Sequence, residues 1–177
     1  MLQDLPDDLS NPPLHWFAVS VKTRAEKSVA RMLETKGFEK FVPTYNETHQ
    51  WSDRRKHIEM PLFTRYVFCR FDDHFRLPIL TTPGVLSVVG TPAGATPIEQ
   101  CEIDALRRVS NAGVECQPWP FMQAGQRVRL RRGALSGIEG VLLRSKSDCR
   151  LVLSVTLLRR SVAIEVDAAS VEYVGDH

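Results

Sequence analysis

The chain has 177 residues, of which 43% are hydrophobic and 25% charged, and its formal net charge is +2. That length and composition suit one ordinary domain or two small ones with packed cores, while the near-neutral balance excludes a polybasic arm, so any contact with DNA or RNA has to come from local patches. No run approaches the about 18 apolar residues of a membrane span.

Residues 1–13 (MLQDLPDDLSNPP) are acidic and proline-bearing and lack the apolar run of a secretory signal, so a mobile tail is expected. Trp16–Val21 is a short apolar, aromatic strand. Thr23-Arg-Ala-Glu26 has the form of a capping box. Val29, Met32 and Leu33 supply the helical stripe behind it, and Gly37 suits the left-handed residue of a Schellman end with Phe38 folding back. Phe38–Tyr45 and Thr48–Trp51 read as extended, with Pro43 at an edge or bulge, and polar Ser52–His57 reads as a hairpin tip. Tyr66–Phe71 reads as a strand buried on both faces. Phe75–Leu80 is a short helix that Pro78 confines to one turn, Pro83-Gly84 is a turn, and Val85–Val89 is a strand stopped by Gly90. Thr96–Glu99 forms a second capping box with Pro97 at the first helical position, ahead of a helix that ends at Asn111–Gly113.

This order is the β-α-β-β-α-β plan of a split βαβ sandwich, with one sheet face covered by helices and the other available. Val114–Met122 holds two prolines and no periodicity and reads as a linker. Beyond it, Arg127–Leu130, Gly140–Leu143, Leu151–Thr156, Val162–Val166 and Val171–Val174 are five short strands at the close, regular spacing of a small barrel. The fold class is therefore α+β. A domain at 14–112 is followed by a linker at 113–122 and a five-stranded barrel at 123–177.

Catalytic signals are missing. None of the five histidines stands at a recognisable spacing from a Ser or Cys, and GxSxG, GxxxxGK[ST], HExxH and GxGxxG are all absent. The four cysteines (Cys69, Cys101, Cys116 and Cys149) form neither a zinc spacing nor a dense disulfide framework. Reduced thiols, no metal, no cofactor and a cytoplasmic binding protein rather than an enzyme are expected. A hydrolase built on one of the cysteines is the residual alternative.

The strongest local string runs from Val128 to Leu142 (VRLRRGALSGIEGVL). Gly133, Gly137 and Gly140 allow a tight reversal between two strands, with Leu135 between the first two glycines. The string resembles the KOW motif of NusG-type factors and some ribosomal proteins. Trp16-Phe17-Ala18-Val19, Pro61–Phe68 (PLFTRYVF), Pro83-Gly84-Val85, Gly90 and Pro97-Ile98 resemble, in order and spacing, the NGN domain of NusG and of specialised paralogues of the RfaH and UpxY kind. The resemblance covers about residues 14–174.

The resemblance implies an SH3-like KOW barrel behind an NGN sandwich. It implies a monomeric transcription elongation or antitermination factor, with no membrane partner, that docks on the clamp helices of the RNA polymerase largest subunit. Phe63, Tyr66 and Phe68 match the docking part of the motif. Phe68 reads equally as core, whereas Phe63, just before a strand, reads as exposed. Two basic groups stand where the family faces the non-template DNA strand at the upstream fork: Lys22, Arg24, Lys27 and Arg31, and then Arg54, Arg55 and Lys56 beside Trp51. Their phosphate contacts would be salt-sensitive and sequence-blind, and each group also reads as a solvated surface. The barrel is expected to recruit the ribosome, Rho or another partner, and its β-branched Leu151–Val166 favours a constitutive barrel. The sequence departs from the family at Thr64-Arg65, where Pro-Gly or Pro-Asn is common, and at Ser20 and Pro83, where RfaH has an aromatic and an arginine. A ribosomal or general RNA-binding protein sharing only the barrel is the alternative.

Overall fold

The computed structural model describes residues 13–51, 54–121, 125–144 and 149–174, with the side chains of 48–51 and 54–57 also outside the description. The expected tail, apart from Pro13, falls outside these residues.

Strand β1 (His15–Val21) alternates two apolar sets. Trp16 and Ala18 face one side and Phe17, Val19 and Val21 the other, and all five are buried. Helix α1 (Glu26–Thr35) covers the second side with Val29, Ala30 and Leu33. Its first capping box is not formed. The N-cap is Ala25 with no side-chain cap, because Glu26 turns inward and its carboxylate accepts the Arg65 N–H at 2.6 Å. The helix ends as expected: Gly37 has φ +86°, and Phe38 N–H donates to Leu33 O at 3.0 Å.

Strand β2 (Glu39–Phe41) is followed by the long hairpin of β3 (Thr44–Trp51) and β4 (Arg54–Pro61). Pairing runs from Thr44↔Pro61 to Trp51↔Arg54. Arg54, Arg55 and Lys56 therefore belong to a strand and not to the loop expected over Ser52–His57, because the two polar segments continue the ladder. Strand β5 (Tyr66–Phe71) has Val67, Phe68 and Cys69 buried, on alternating faces. A 3-10 turn (Asp73–Phe75) and the one-turn helix α2 (Leu77–Leu80), with Pro78 in its first turn, lead to β6 (Val85–Val88). Gly90 opens a second small hairpin, β7 (Gly90–Thr91) with β8 (Gly94–Ala95).

Helix α3 (Gln100–Ala112) starts three residues later than the second capping box predicts. Ile98 N–H is already used, donating to Trp16 O at 2.7 Å in a bridge to β1, so Pro97 and Ile98 precede the helix. Gly113, at φ +63°, ends it. The first sheet has the order β2-β5-β1-β6, all antiparallel, as the split βαβ plan requires.

The second sheet contains β9 (Cys116–Trp119), β10 (Gln126–Leu130), β11 (Glu139–Arg144), β12 (Cys149–Val155), β13 (Arg160–Glu165) and, after a 3-10 turn (Ala168–Ser170), β14 (Val171–Tyr173). Its order is β14-β10-β11-β12-β13-β9. The five expected strands are present, and β9 is a sixth. It lies within the segment read as linker and pairs with β13 from Ser161↔Trp119 to Ile164↔Cys116. Pro118 is tolerated because β9 is an edge strand in this order.

The glycine string joins β10 to β11. Gly133 and Gly137 both have φ +84°, Gly137 N–H donates to Leu130 O at 2.6 Å, and Leu135 tucks into the barrel core with Ile138, Leu151 and Ile164. Gly140 is required for a different reason: a Cβ there would stand 2.5 Å from Val152 O and 3.0 Å from the Leu151 side chain. Gly140→Ala is therefore expected to cost about 1–3 kcal/mol by overpacking, read as a lower midpoint in urea unfolding.

Candidate functional site

The second face of the first sheet is not available. Trp16, Ala18, Leu62, Phe63, Phe68, Ile98, Ile103 and Leu106 form one cluster with Val155 and Val162 of the second sheet, and Tyr66, Leu157 and Leu158 pack around it. Phe63 is only 1% exposed and Phe68 fully buried, their rings edge-to-face at 5.4 Å. The expectation that Phe63 is exposed is thus overturned. Residues just before a strand are often in water, but here a second domain covers them. Phe63, Tyr66 and Phe68 do share one face, as the motif suggested, but that face is occupied.

Polar contacts frame the junction. Arg160 of β13 donates through Nη1 to Thr64 O at 3.2 Å and Thr64 Oγ1 at 3.1 Å, and its guanidinium lies 5.2 Å from the Tyr66 ring centroid. Glu102 of α3 accepts the Thr156 N–H at 3.2 Å. Arg108 of α3 donates to Ala134 O at 3.3 Å and Ser136 O at 2.5 Å, so it holds the glycine turn itself. Helix α3 is thus shared: Ile103 and Leu106 face the first sheet, and Val109 enters the core of the second. Arg107 of the same helix pairs with Glu39 at 2.7 Å and lies 4.5 Å over Trp16. That hydrogen bond from Arg107 holds the Glu39 carboxyl below the usual range.

The basic residues divide. Lys22, Arg24 and Arg31 are exposed and have no ion-pair or hydrogen-bonding side-chain partner among the described residues. Lys27 is committed to Glu59, at 2.5 Å. Arg54, Arg55 and Lys56 have described backbones only. Besides Arg159 of the second domain, at φ +49°, two arginines hold left-handed backbones, Arg24 at φ +65° and Arg65 at φ +70°. The turns that carry them adjoin: Val21 N–H donates to Arg65 O at 2.9 Å, Lys22 N–H to Gly84 O at 2.8 Å and Ala25 N–H to Lys22 O at 3.0 Å.

Cys69 and Cys116 offer no activated thiol. Burial pushes the Cys69 thiol up to about 12 and also raises that of Cys116, next to Glu115. No group of acidic, histidine and cysteine side chains suited to a metal occurs among the described residues, nor does any helix there have the length and apolarity to cross a membrane. Arg160, Glu102, Arg108 and Leu158 carry no motif, so nothing in the sequence marked them. Arg65 was visible only as a departure from the family pattern.

Two outcomes follow from this geometry. Phe63→Ala is expected to lose about 3–5 kcal/mol of stability, measured by urea unfolding, so it is a folding variant before it is a docking variant. Arg65→Gly relieves about 1–2 kcal/mol of left-handed strain against about 0.5–1 kcal/mol of added chain entropy. A urea midpoint at or above that of the parent chain is expected.

A family model described as transcription termination factor nusG matches residues 14–107. Among solved structures, one described as "Domain interaction in Thermotoga maritima NusG" superposes with a TM-score of 0.56 at 16% identity, over 92% of this chain and 98% of that one. A chain of the MjSpt4:Spt5 complex in conformation B aligns at 17% identity over 92% of this chain and 98% of that one, with a TM-score of 0.31. No curated protein sequence matches. The NGN-plus-KOW fold and the family match over the first domain agree with each other, and the chain belongs to the NusG family of transcription elongation factors.

Proposed function

We propose that this chain binds the clamp helices of the RNA polymerase largest subunit through the face that carries Phe63, Tyr66 and Phe68, and does so only after the barrel has moved off that face. The observation that carries this reading is the cluster in which those three aromatics pack against Val155, Val162, Leu157 and Leu158. Large aromatics gathered on one face are the usual anchors of a protein interface. The same side chains cannot serve the barrel and the polymerase at once. Polymerase would therefore select the open form and shift the population toward it.

The mechanism is binding without turnover. The docked domain would hold the clamp closed and reduce pausing or termination. Lys22, Arg24 and Arg31, together with Arg54, Arg55 and Lys56 of β4, would face the non-template strand at the upstream fork. Lys27 would join them only by giving up Glu59. The released barrel would be free to recruit a second partner, such as the ribosome or Rho. A role as a specialised paralogue fits the departures at Ser20, Thr64, Arg65 and Pro83. A ribosomal or general RNA-binding protein would account for the barrel but not for the family match at residues 14–107.

The test separates docking from folding. Leu158→Glu with Arg160→Ala removes contacts made across the junction and spares the barrel's own core. Each about 1.4 kcal/mol lost from the closed state raises the open population tenfold, so more polymerase should be retained in a pull-down and pauses should shorten in a run-on assay. Tyr66→Ala on that background should reduce binding while leaving the unfolding midpoint nearly unchanged. An opened variant that binds no better, with Tyr66→Ala without effect, would sink the reading.

A further inference from the structure

We infer that Arg65 is a phosphate-contacting residue, forming with Lys22 and Arg24 a compact cationic site for the phosphodiester backbone of a single nucleic-acid strand. The inference rests on the proposed nucleic-acid surface and adds to it a residue from a different turn.

Three separate features converge on Arg65. Its backbone is fixed at both ends. The buried Glu26 carboxylate accepts its N–H at 2.6 Å, and its carbonyl accepts the Val21 N–H at 2.9 Å. The anchor on Val21 places Arg65 directly beside the chain leading into Lys22 and Arg24. Its side chain is exposed and, like those of Lys22 and Arg24, has no hydrogen bond or ion pair among the described residues. Its φ of +70° is one that glycine or asparagine would adopt at less cost, and Arg24 at +65° repeats the pattern. A strained backbone held in place under an unused guanidinium points to a use for that guanidinium.

The local charge balance favours an anion. Lys22, Arg24 and Arg65 outnumber the carboxylate beneath the turn, Glu26, which accepts the Arg65 N–H, and Glu59 is paired with Lys27. Arg160 approaches the same turn from the barrel, but its contacts go to Thr64 and Tyr66, and so it lies outside the trio. Arginine presents a planar fork of donors suited to phosphate oxygens, whereas a backbone contact of this kind reads no base. Consecutive residues of one turn thereby serve two surfaces: Phe63 and Tyr66 face the domain junction, and Arg65 faces the strand.

The experiment uses the full chain and a fluorescently labelled single DNA strand, with anisotropy followed across a salt series. Arg65→Gly keeps the backbone conformation and removes the cation. It should bind about five- to tenfold more weakly at low salt, with a log–log salt slope shallower by about 0.7, the value of one lost phosphate contact on a single strand. Its urea midpoint should be retained, and Arg65→Lys should recover most of the affinity. An RNA strand of the same sequence should show the same loss. Arg65→Gly binding with the parent's affinity and slope, while Lys22→Ala with Arg24→Ala binds more weakly, would overturn the assignment of Arg65 alone. A parent chain without salt-dependent binding would overturn the whole cationic surface, and a loss confined to one base composition would overturn backbone recognition.

Discussion

A four-stranded sheet with large apolar side chains on both faces needs two covers. In β1 and β5, His15, Ser20 and Arg70 apart, large apolar side chains occupy both faces, so no rotation or register leaves one face fit for water. Helices α1 and α2 supply one cover, through Val29, Ala30, Leu33 and Ile79. The other face carries Trp16, Phe63 and Phe68, each worth roughly 1.5–3 kcal/mol when buried, and α3 is too narrow to cover it alone. The second domain completes the cover. The placement of α3, the closing of the junction and the fate of the aromatic face all follow from this requirement.

The junction has the makeup of an exchangeable contact. Its centre is apolar, but its edge is held by a few hydrogen bonds to exposed residues: Arg160 on Thr64, Glu102 on Thr156 and Arg108 on the glycine turn. Bonds of this kind contribute on the order of 1 kcal/mol each once water is counted. They fix the register of one domain on the other without making separation prohibitive. The glycine string, which by itself marks only a barrel, also offers the carbonyls of Ala134 and Ser136 to Arg108, and so forms one side of the junction. The Phe63–Tyr66 turn forms the other side, and its left-handed Arg65 is pinned by Glu26 and Val21.

The sequence was most legible where chemistry is local. The alternation of Trp16–Val21, the Gly37 and Gly113 helix ends and the Gly133–Gly140 string each depend on neighbouring residues, and each is found as read. It was least legible where a distant group competes. Both capping boxes fit the pattern, yet Glu26 is drawn to Arg65 and Ile98 to Trp16, and a capping hydrogen bond of about 1 kcal/mol yields to such partners. The Cys116–Trp119 segment looked like linker because of its prolines, and became a strand because an edge of β13 was open to it.

The sequence by itself determined the β-α-β-β-α-β plan of the first part, five strands of the second sheet and the resemblance that led to the NusG family, because periodicity, turn glycines and motif spacing are properties of the chain read along its length. It also brought Phe63, Tyr66 and Phe68 to notice as a group. Only the tertiary structure decided that this group is covered, that among the described residues Lys27 is paired while Lys22, Arg24 and Arg65 are not, and that Arg160 and Arg108 hold the domains together. The physical reason is that exposure and pairing depend on what arrives from elsewhere in the chain. Arg160 stands 96 positions from Thr64, a separation at which no local pattern carries a signal.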